Sequence, residues 1–377
     1  MRSIPKKKFL QTGSYMLRNW FAREAVYPFY CSFKLTRRCN FTCSFCNCWH
    51  VKNRWVDMPT EEVKTILDNI GDSSVVVCSF EGGDPLVRDD IEELLKYQYQ
   101  KPWYLLFTTS ERDLQNNYPM ADYCKYIDFL HISIDEGHQN LDMYDDLEQY
   151  TEWGSIVTVQ IVVTRKDIDE LEWKIKRCDD AGVKAVVMLA VHLQNTRDHV
   201  PDLIMLSRRG LELRRKYPGV IISPDGYFKR MLMDHGCDSS SIIVDADGFL
   251  FYPCRVLEEK TINLKETSLM GYLESKDAAR RRREMAGCEI RCGWYQYFAT
   301  QSFVNPSEIL SAWMPYFRDI LGGGRQPVMT VPSMPRPDSR ELTHLEMMRG
   351  SAPSLSSADV EAVEEELSAT QSVEHPP

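Results

Sequence analysis

The sequence contains no apolar run approaching the ~18 residues a membrane-spanning helix requires, so no helical span is expected. It has no basic excess either. A formal charge of -10 and a pI near 5.4 exclude a general nucleic-acid binder, whose phosphate contacts need a basic surface. The first residues lack the uninterrupted apolar core followed by small residues that marks a secretion signal, which gives the reading of a cytoplasmic protein. No internal repeat occurs.

Cysteine, by contrast, is plentiful. Twelve occur in 377 residues, and in a reducing compartment closely spaced cysteines point to metal or catalysis rather than to disulfides. Seven of them fall into two groups, one early and one late. The length accommodates one large domain of roughly 250 residues and a smaller unit.

From Cys31 to about Tyr217, β-rich apolar runs alternate with segments of helical period, the pattern of βα units around a parallel sheet. Strands are expected at Cys31–Thr36, Ser74–Gly82, Tyr104–Thr109, Phe129–Asp135, Val157–Thr164 and Ala185–Ala190. Between the first two, Thr60 suits a helix cap, Glu61 and Glu62 suit its positive end, and Val63, Ile66, Leu67 and Ile70 recur on one face before Gly71. Six units are too few to close an eight-stranded barrel, so the expected fold is α/β: a partial (β/α)6 TIM-like barrel with sites at the strand C-terminal ends.

The expected organisation is a basic amphipathic segment over 1–30, the partial barrel over 31–222, a small appended domain over 223–300, a helix over 301–322 and a disordered tail over 323–377. In the first segment, Lys6, Lys7 and Lys8 precede Tyr15, Met16, Leu17, Trp20 and Phe21. That run suits either peripheral contact with an anionic membrane or a helix plugging the barrel's bottom. The tail is rich in Gly, Pro, Ser and Glu, with one short candidate helix around Ala358–Leu367.

Thr36-Arg-Arg-Cys39-Asn-Phe-Thr-Cys43-Ser-Phe-Cys46 follows directly on the first strand. Three thiolates at these gaps can wrap one face of a cubane cluster and leave its fourth iron open to a small ligand. The other reading is a structural zinc site with Cys48 or His50 as fourth ligand. The spacing Cys39-x3-Cys43-x2-Cys46, with Phe45 before the last cysteine, resembles the hallmark of the radical S-adenosylmethionine (radical SAM) superfamily. The resemblance covers about residues 31–295. It implies a [4Fe-4S] cluster with an open iron, S-adenosylmethionine as cofactor, and reductive cleavage to a 5′-deoxyadenosyl radical that abstracts hydrogen from substrate. It also implies an external electron donor such as flavodoxin or ferredoxin.

Glu81-Gly82-Gly83-Asp84-Pro85 resembles the family's Gly-Gly-Glu type motif, which holds the methionine amino group, with Asp in place of the usual Glu. On the fourth strand Ser133 and Asp135 share a face with His131, and in the family polar side chains here meet the ribose and carboxylate. Thr108 and Thr109 end the third strand. Arg165 follows the fifth, where a guanidinium can clamp a carboxylate. Val187, Met188 and Leu189 suit either an adenine border or plain core.

Cys237, Cys254, Cys288 and Cys292 provide four more ligands. Ile242, Val244 and the Asp245-Ala-Asp247-Gly248 turn read as a hairpin joining the first pair. The set resembles the twitch domain, the shorter relative of the SPASM domain, which implies a second [4Fe-4S] cluster for electron transfer. One extra residue between Gly248 and Cys254 departs from the usual spacing, and a zinc ribbon fits the four cysteines equally well. Arg280 to Arg283 suit a solvated helix face or an anion contact.

The substrate classes left open are peptide, lipid or isoprenoid, and small metabolite; only 38 residues precede Cys39, short for a separate peptide-recognition domain. A non-catalytic zinc or iron–sulfur scaffold is the rival from another class.

Overall fold

The first strand shows how the sequence builds the sheet. In β1 (Tyr30–Thr36), Cys31, Phe33 and Leu35 are fully buried on one face, while Ser32, Lys34 and Thr36 point to the other. The apolar face packs on helices and the polar face lines the hollow of a curved sheet. A computed structural model describes residues 4–51, 55–191, 199–232, 236–238, 240–290 and 292–321. The expected tail over 323–377, including the segment 358–367, lies outside the described residues.

Five further parallel strands follow: β2 (Val77–Gly82), β3 (Tyr104–Thr109), β4 (Phe129–Ser133), β5 (Ile156–Val163) and β6 (Lys184–Leu189). These match the expected six to within a few residues. The largest difference is at β2, where Ser73 and Ser74 are spent on loop hydrogen bonds to Ile70 O and Pro28 O before pairing begins. At β4 the strand stops at Ser133, because the Asn140 side chain donates to Ser133 O (2.8 Å) and accepts from Asp135 N (3.2 Å).

Helix Thr60–Gly71 buries Val63, Ile66, Leu67 and Ile70 as its periodicity requires, each contributing about 1.5–3 kcal/mol. Its cap differs. Pro59 precedes the first turn, and Thr60 sits inside the helix with its hydroxyl donated to Asp90 (2.7 Å).

The appended region does not form a separate sheet. β7 (Ser241–Val244) pairs in parallel with β1, in register Tyr30 with Ser241 through Phe33 with Val244. β8 (Phe249–Phe251) and β9 (Lys260–Asn263) continue antiparallel, so one nine-stranded sheet runs in the order 6-5-4-3-2-1-7-8-9. This pairing covers the backbone groups of β1 that an open barrel would leave exposed. The Asp245–Gly248 turn forms as expected, with Gly248 N donated to Asp245 O (2.9 Å) and Gly248 at φ +86°.

Helix α1 (Lys6–Ala22) lies where the strands begin, as a bottom plug would, but by the opposite face from the one expected. Lys8 donates to Ser73 O (2.5 Å) and Gly71 O (3.1 Å), Thr12 to Ser74 O (3.4 Å), and Asn19 exchanges two bonds with the Tyr27 backbone. Burial pulls the Lys8 pKa down to about 8, with Asp72 opposing. Leu10, Leu17, Trp20 and Phe21 point outward. Among the described residues no helix is long and apolar enough to cross a membrane.

Candidate cofactor site

The loop carrying Cys39, Cys43 and Cys46 leaves the C-terminal end of β1 and is braced on three sides. Arg37 pairs with the buried Asp245 of the β7–β8 turn. Arg38 pairs with Asp57 (2.6 Å) and donates to Val87 O (2.7 Å). From β2, Gly83 N donates to Thr36 O (2.8 Å) and Asp84 N to Arg38 O (2.9 Å). The two backbones are so close that a Cβ on Gly83 would stand 1.8 Å from Arg38 O, and one on Gly82, at φ +140°, would stand 2.3 Å from Thr36 O. The glycine pair therefore fixes where the cysteine loop starts.

Within the loop, Cys46 N donates to Cys43 O (3.1 Å) and Trp49 Nε1 to the same oxygen (2.9 Å). Two amides reach sulfur: Phe41 N to Cys39 Sγ (3.5 Å) and Cys48 N to Cys46 Sγ (3.4 Å). Burial pushes the Cys39 thiol up to about 12. Its hydrogen bond with Cys48, with burial second, pushes Cys46 up. Binding of a metal group takes the thiolate form and so releases the protons that these raised thiols carry. Cys48 is buried beside Cys46 with its thiol toward Gly82 O (3.5 Å).

The loop after β4 closes over the aromatics. Phe45 packs against Gly137, where a Cβ would stand 1.9 Å from the ring, and His138 meets Phe45 and Phe41 edge-on at 5.4 and 5.8 Å. Asp135 Oδ1 contacts His138 Nδ1 (2.8 Å) and accepts from His138 N (3.0 Å), while Oδ2 accepts from Val162 N (3.3 Å). Burial works against protonation of His138, but the adjacent Asp135 carboxylate outweighs it and raises the pKa to about 10. His138, three residues past Asp135, carried no signal in the sequence reading.

Of the other expected ligand-binding residues, Asp84 is fully buried, accepting from Thr109 Oγ1 (2.8 Å), Ser110 N (2.9 Å) and Leu86 N (3.0 Å), with burial raising its pKa to about 6. It ties the glycine loop to the end of β3. Thr109 serves that bond, whereas Thr108 faces the hollow. Ser133 faces the hollow opposite Gln160, and its hydroxyl makes no hydrogen bond among the described residues. Arg165 is exposed at the C-terminal end of β5. Val187 and Leu189 are buried on the helix-packed side, and Met188 faces the hollow.

The hollow itself is polar, which the sequence reading missed because alternation was followed only on β4. Glu81 accepts from Ser32, from Ser79 (3.4 Å) and from Gln296 Nε2 (3.2 and 3.3 Å), and Trp294 Nε1 donates to Gln296 Oε1 (2.9 Å). Gln296 lies in the first turn of the helix Tyr295–Val304, whose start thereby reaches the hollow. Lys34 shares the Glu81 side of the hollow. Burial lowers the pKa of His131 to about 4 despite its hydrogen bond to Gln160.

Cys237, Cys254, Cys288 and Cys292 all line one small cavity, together with Val256, Leu257, Met285, Tyr297 and Phe298. Burial raises the thiols of Cys237 and Cys254, and that of Cys292 to about 11. Gly236 lets the first hook meet the helix Lys276–Ala286, since a Cβ there would stand 2.1 Å from Ala286 O. Gly293 touches Leu189 of β6, and Tyr227 accepts from Leu189 N (3.0 Å) while donating to Gly293 O (3.3 Å). The second hook is thus docked on the barrel. On the neighbouring helix, Arg280 makes solvated ion pairs, whereas Arg282 is buried and binds Glu24 (2.6 Å).

The fit to clusters rests on these donor sets: three thiols on a loop with amides aimed at sulfur, and four thiols around an apolar cavity. Among the described residues no three His, Cys, Asp or Glu side chains gather around a single-ion position. Three thiolates on one loop can each bind a different iron of a cubane. The five cysteines outside the two sets, Cys31, Cys48, Cys78, Cys124 and Cys178, are buried, and all twelve are free thiols.

Residues 33–206 match the sequence profile of the Radical SAM superfamily. The chain therefore carries a radical SAM domain. The PqqA peptide cyclase of Granulibacter bethesdensis is 24% identical over 222 residues, spanning 52% of this chain and 59% of the cyclase, less than two thirds of that protein's length. Streptococcus suis SuiB bound to precursor peptide SuiA superposes with a TM-score of 0.55 at 15% identity, over 79% of this chain and 81% of SuiB. anSMEcpe with bound AdoMet and Cp18Cys peptide gives 0.53 at 14% identity, over 78% and 99%. At these identities the two structures establish the fold.

Proposed function

We propose that the chain is a radical SAM enzyme acting on a peptide, with an open-sided [4Fe-4S] cluster on Cys39, Cys43 and Cys46 and a second cluster on Cys237, Cys254, Cys288 and Cys292. One observation carries this reading: the three-cysteine loop is clamped at the barrel mouth between the Gly82–Gly83 backbone and the Phe45–Gly137 contact. When bound, cluster and S-adenosylmethionine supply reductive cleavage and a 5′-deoxyadenosyl radical that takes hydrogen from an unactivated carbon.

This chain's own residues do the positioning. Gly82, Gly83 and Asp84 bring backbone close to the cofactor's amino end. The free Ser133 hydroxyl, Arg165 and the Asp135 loop serve its ribose and carboxylate. The start of helix Tyr295–Val304 helps shield the hollow from water. Four thiols leave no exchangeable position on a cubane, so the second cluster passes electrons, with an external flavodoxin or ferredoxin supplying them. Such oxygen-sensitive groups and twelve free thiols suit the cytoplasm.

A peptide is supported by the kinship with a peptide cyclase and by the fold shared with two peptide-bound enzymes. The polar hollow supports it too. An isoprenoid lodged there would desolvate the partly exposed Lys34 and Glu81 without offering them a hydrogen bond. A polar small metabolite is the second reading, favoured by the same residues.

The test is anaerobic reconstitution, reduction and measurement of 5′-deoxyadenosine, then transfer of deuterium into it from perdeuterated candidate peptides. A scaffold, or a zinc protein, would yield none. Label arriving from a metabolite extract but from no peptide would select the second reading.

A further inference from the structure

Helix α1 is amphipathic with its polar side turned inward. Lys8 and Thr12 are 5% and 8% exposed, and with Asn19 they bind backbone carbonyls at the start of the sheet. On the opposite side Leu10 and Phe21 are 77% and 76% exposed, Leu17 and Trp20 57% and 59%. A helix that only plugged the barrel would bury these four side chains, each worth more in an apolar setting than any group it buries now.

The apolar surface continues off the helix. Phe9 stands 6.3 Å from Tyr104, Tyr104 stands 6.2 Å from Phe129, and the partly exposed Ile156 is the strand partner of Phe129. All three barrel residues sit at strand starts. Charge identifies what covers this face. From Lys6 to Arg23 there is no Asp or Glu, and Lys6, Lys7, Arg18 and Arg23 are exposed, on a chain whose formal charge is -10. A second copy of the same face would bring like charges together, whereas an anionic lipid surface accepts both the cations and the aromatic side chains.

We propose that α1 and the adjoining strand starts dock the protein on an anionic bilayer surface, with Leu10, Leu17, Trp20 and Phe21 in the headgroup region and the barrel bottom toward the lipid. The cysteine loop is at the other ends of the strands. Its mouth therefore opens to the aqueous side, and docking concentrates the enzyme at the membrane without drawing substrate from it.

The full chain is to be floated with phosphatidylcholine vesicles, pure or containing about one third phosphatidylglycerol. Wild type should partition at least about tenfold more strongly onto the anionic vesicles, less so as salt rises. L10E/L17E/F21E should lose at least about tenfold of that binding with an unchanged melting curve, because the three positions face outward. Trp20 emission, taken as the difference from W20F, should shift to the blue on anionic vesicles. Wild type that ignores anionic vesicles, or a triple variant that binds as well as wild type, overturns the proposal. So does a concentration-dependent dimer that the triple substitution dissolves, which would assign the face to a second copy.

Discussion

The two cysteine sets use one residue type in opposite surroundings. The first sits on a loop at the rim, with Arg37, Arg38 and Asp57 around it and backbone amides aimed at two of its sulfurs. The second lines an apolar cavity walled by Met285, Tyr297 and Phe298. A cluster's charge would be eased by amides and nearby cations in the first site and would meet low polarity in the second. Three thiols can ligate only three irons of a cubane and leave the fourth to an exchanging ligand; four can ligate them all. On the proposed function, the difference separates a site that does chemistry from one that moves electrons.

The sharpest way to break that contrast is to remove one set at a time. Replacing Cys39, Cys43 and Cys46 with Ala should lower 5′-deoxyadenosine formation by a factor on the order of 1,000 or more, the scale of losing a catalytic centre. Cys254→Ala with Cys292→Ala should keep that formation within about tenfold while abolishing modified product. Equal losses would mean that the two sites do not divide the work.

Glycine substitutions come next, one for each site. Gly83→Ala forces a Cβ to within 1.8 Å of Arg38 O; overpacking of ~1–3 kcal/mol should appear as about a 10- to 100-fold fall in kcat/KM for S-adenosylmethionine. Gly236→Ala, 2.1 Å from Ala286 O, should instead lower the iron content of the second site and leave S-adenosylmethionine affinity unchanged. Iron and sulfide assays with cofactor titration distinguish the two.

Acid should act on the barrel hollow and the domain junction in different windows. His131 has a folded pKa of about 4 against 6.5 unfolded, so the unfolded chain binds the extra proton and stability falls as pH drops from about 6.5 to about 4, by up to roughly 3 kcal/mol. His131→Gln should flatten that part of a melting-temperature profile. Asp245 behaves differently. Burial raises its pKa, but Arg37 and then Lys260 outweigh burial and hold it at about 2 against 3.8. Its contribution is complete above the unfolded value and disappears as pH falls toward 2. Arg37→Gln should move that acid transition to higher pH, and an unmoved transition would dissociate Arg37 from the junction. The smallest effect is expected at exposed Arg165: Arg165→Ala should raise the KM for S-adenosylmethionine about threefold to tenfold, in the range of a partly solvated charge pair.

Much of this was legible in the residues. The six strands, the helix over Thr60–Gly71 and the Asp245–Gly248 turn follow from periodicity and turn chemistry, both of which act over a few neighbours. Reading failed where a side chain's partner is distant in sequence. Thr60 meets Asp90, Asp84 meets Thr109, and Glu81 meets Gln296, 215 residues away. Asp135 shares no strand face with Ser133, because Asn140 ends β4 first.

The sequence by itself determined which segments form βα units and which cysteines fall near one another along the chain, since both follow from local spacing. Tertiary structure decided which face each element turns where. It placed β7 on the free edge of β1, brought Cys292 and Gly293 against β6, and set α1 down on Lys8, Thr12 and Asn19 with its apolar side outward. Amphipathicity specifies that a helix has two faces. What each face meets depends on the hydrogen bonds and apolar surface that the rest of the folded chain leaves unsatisfied.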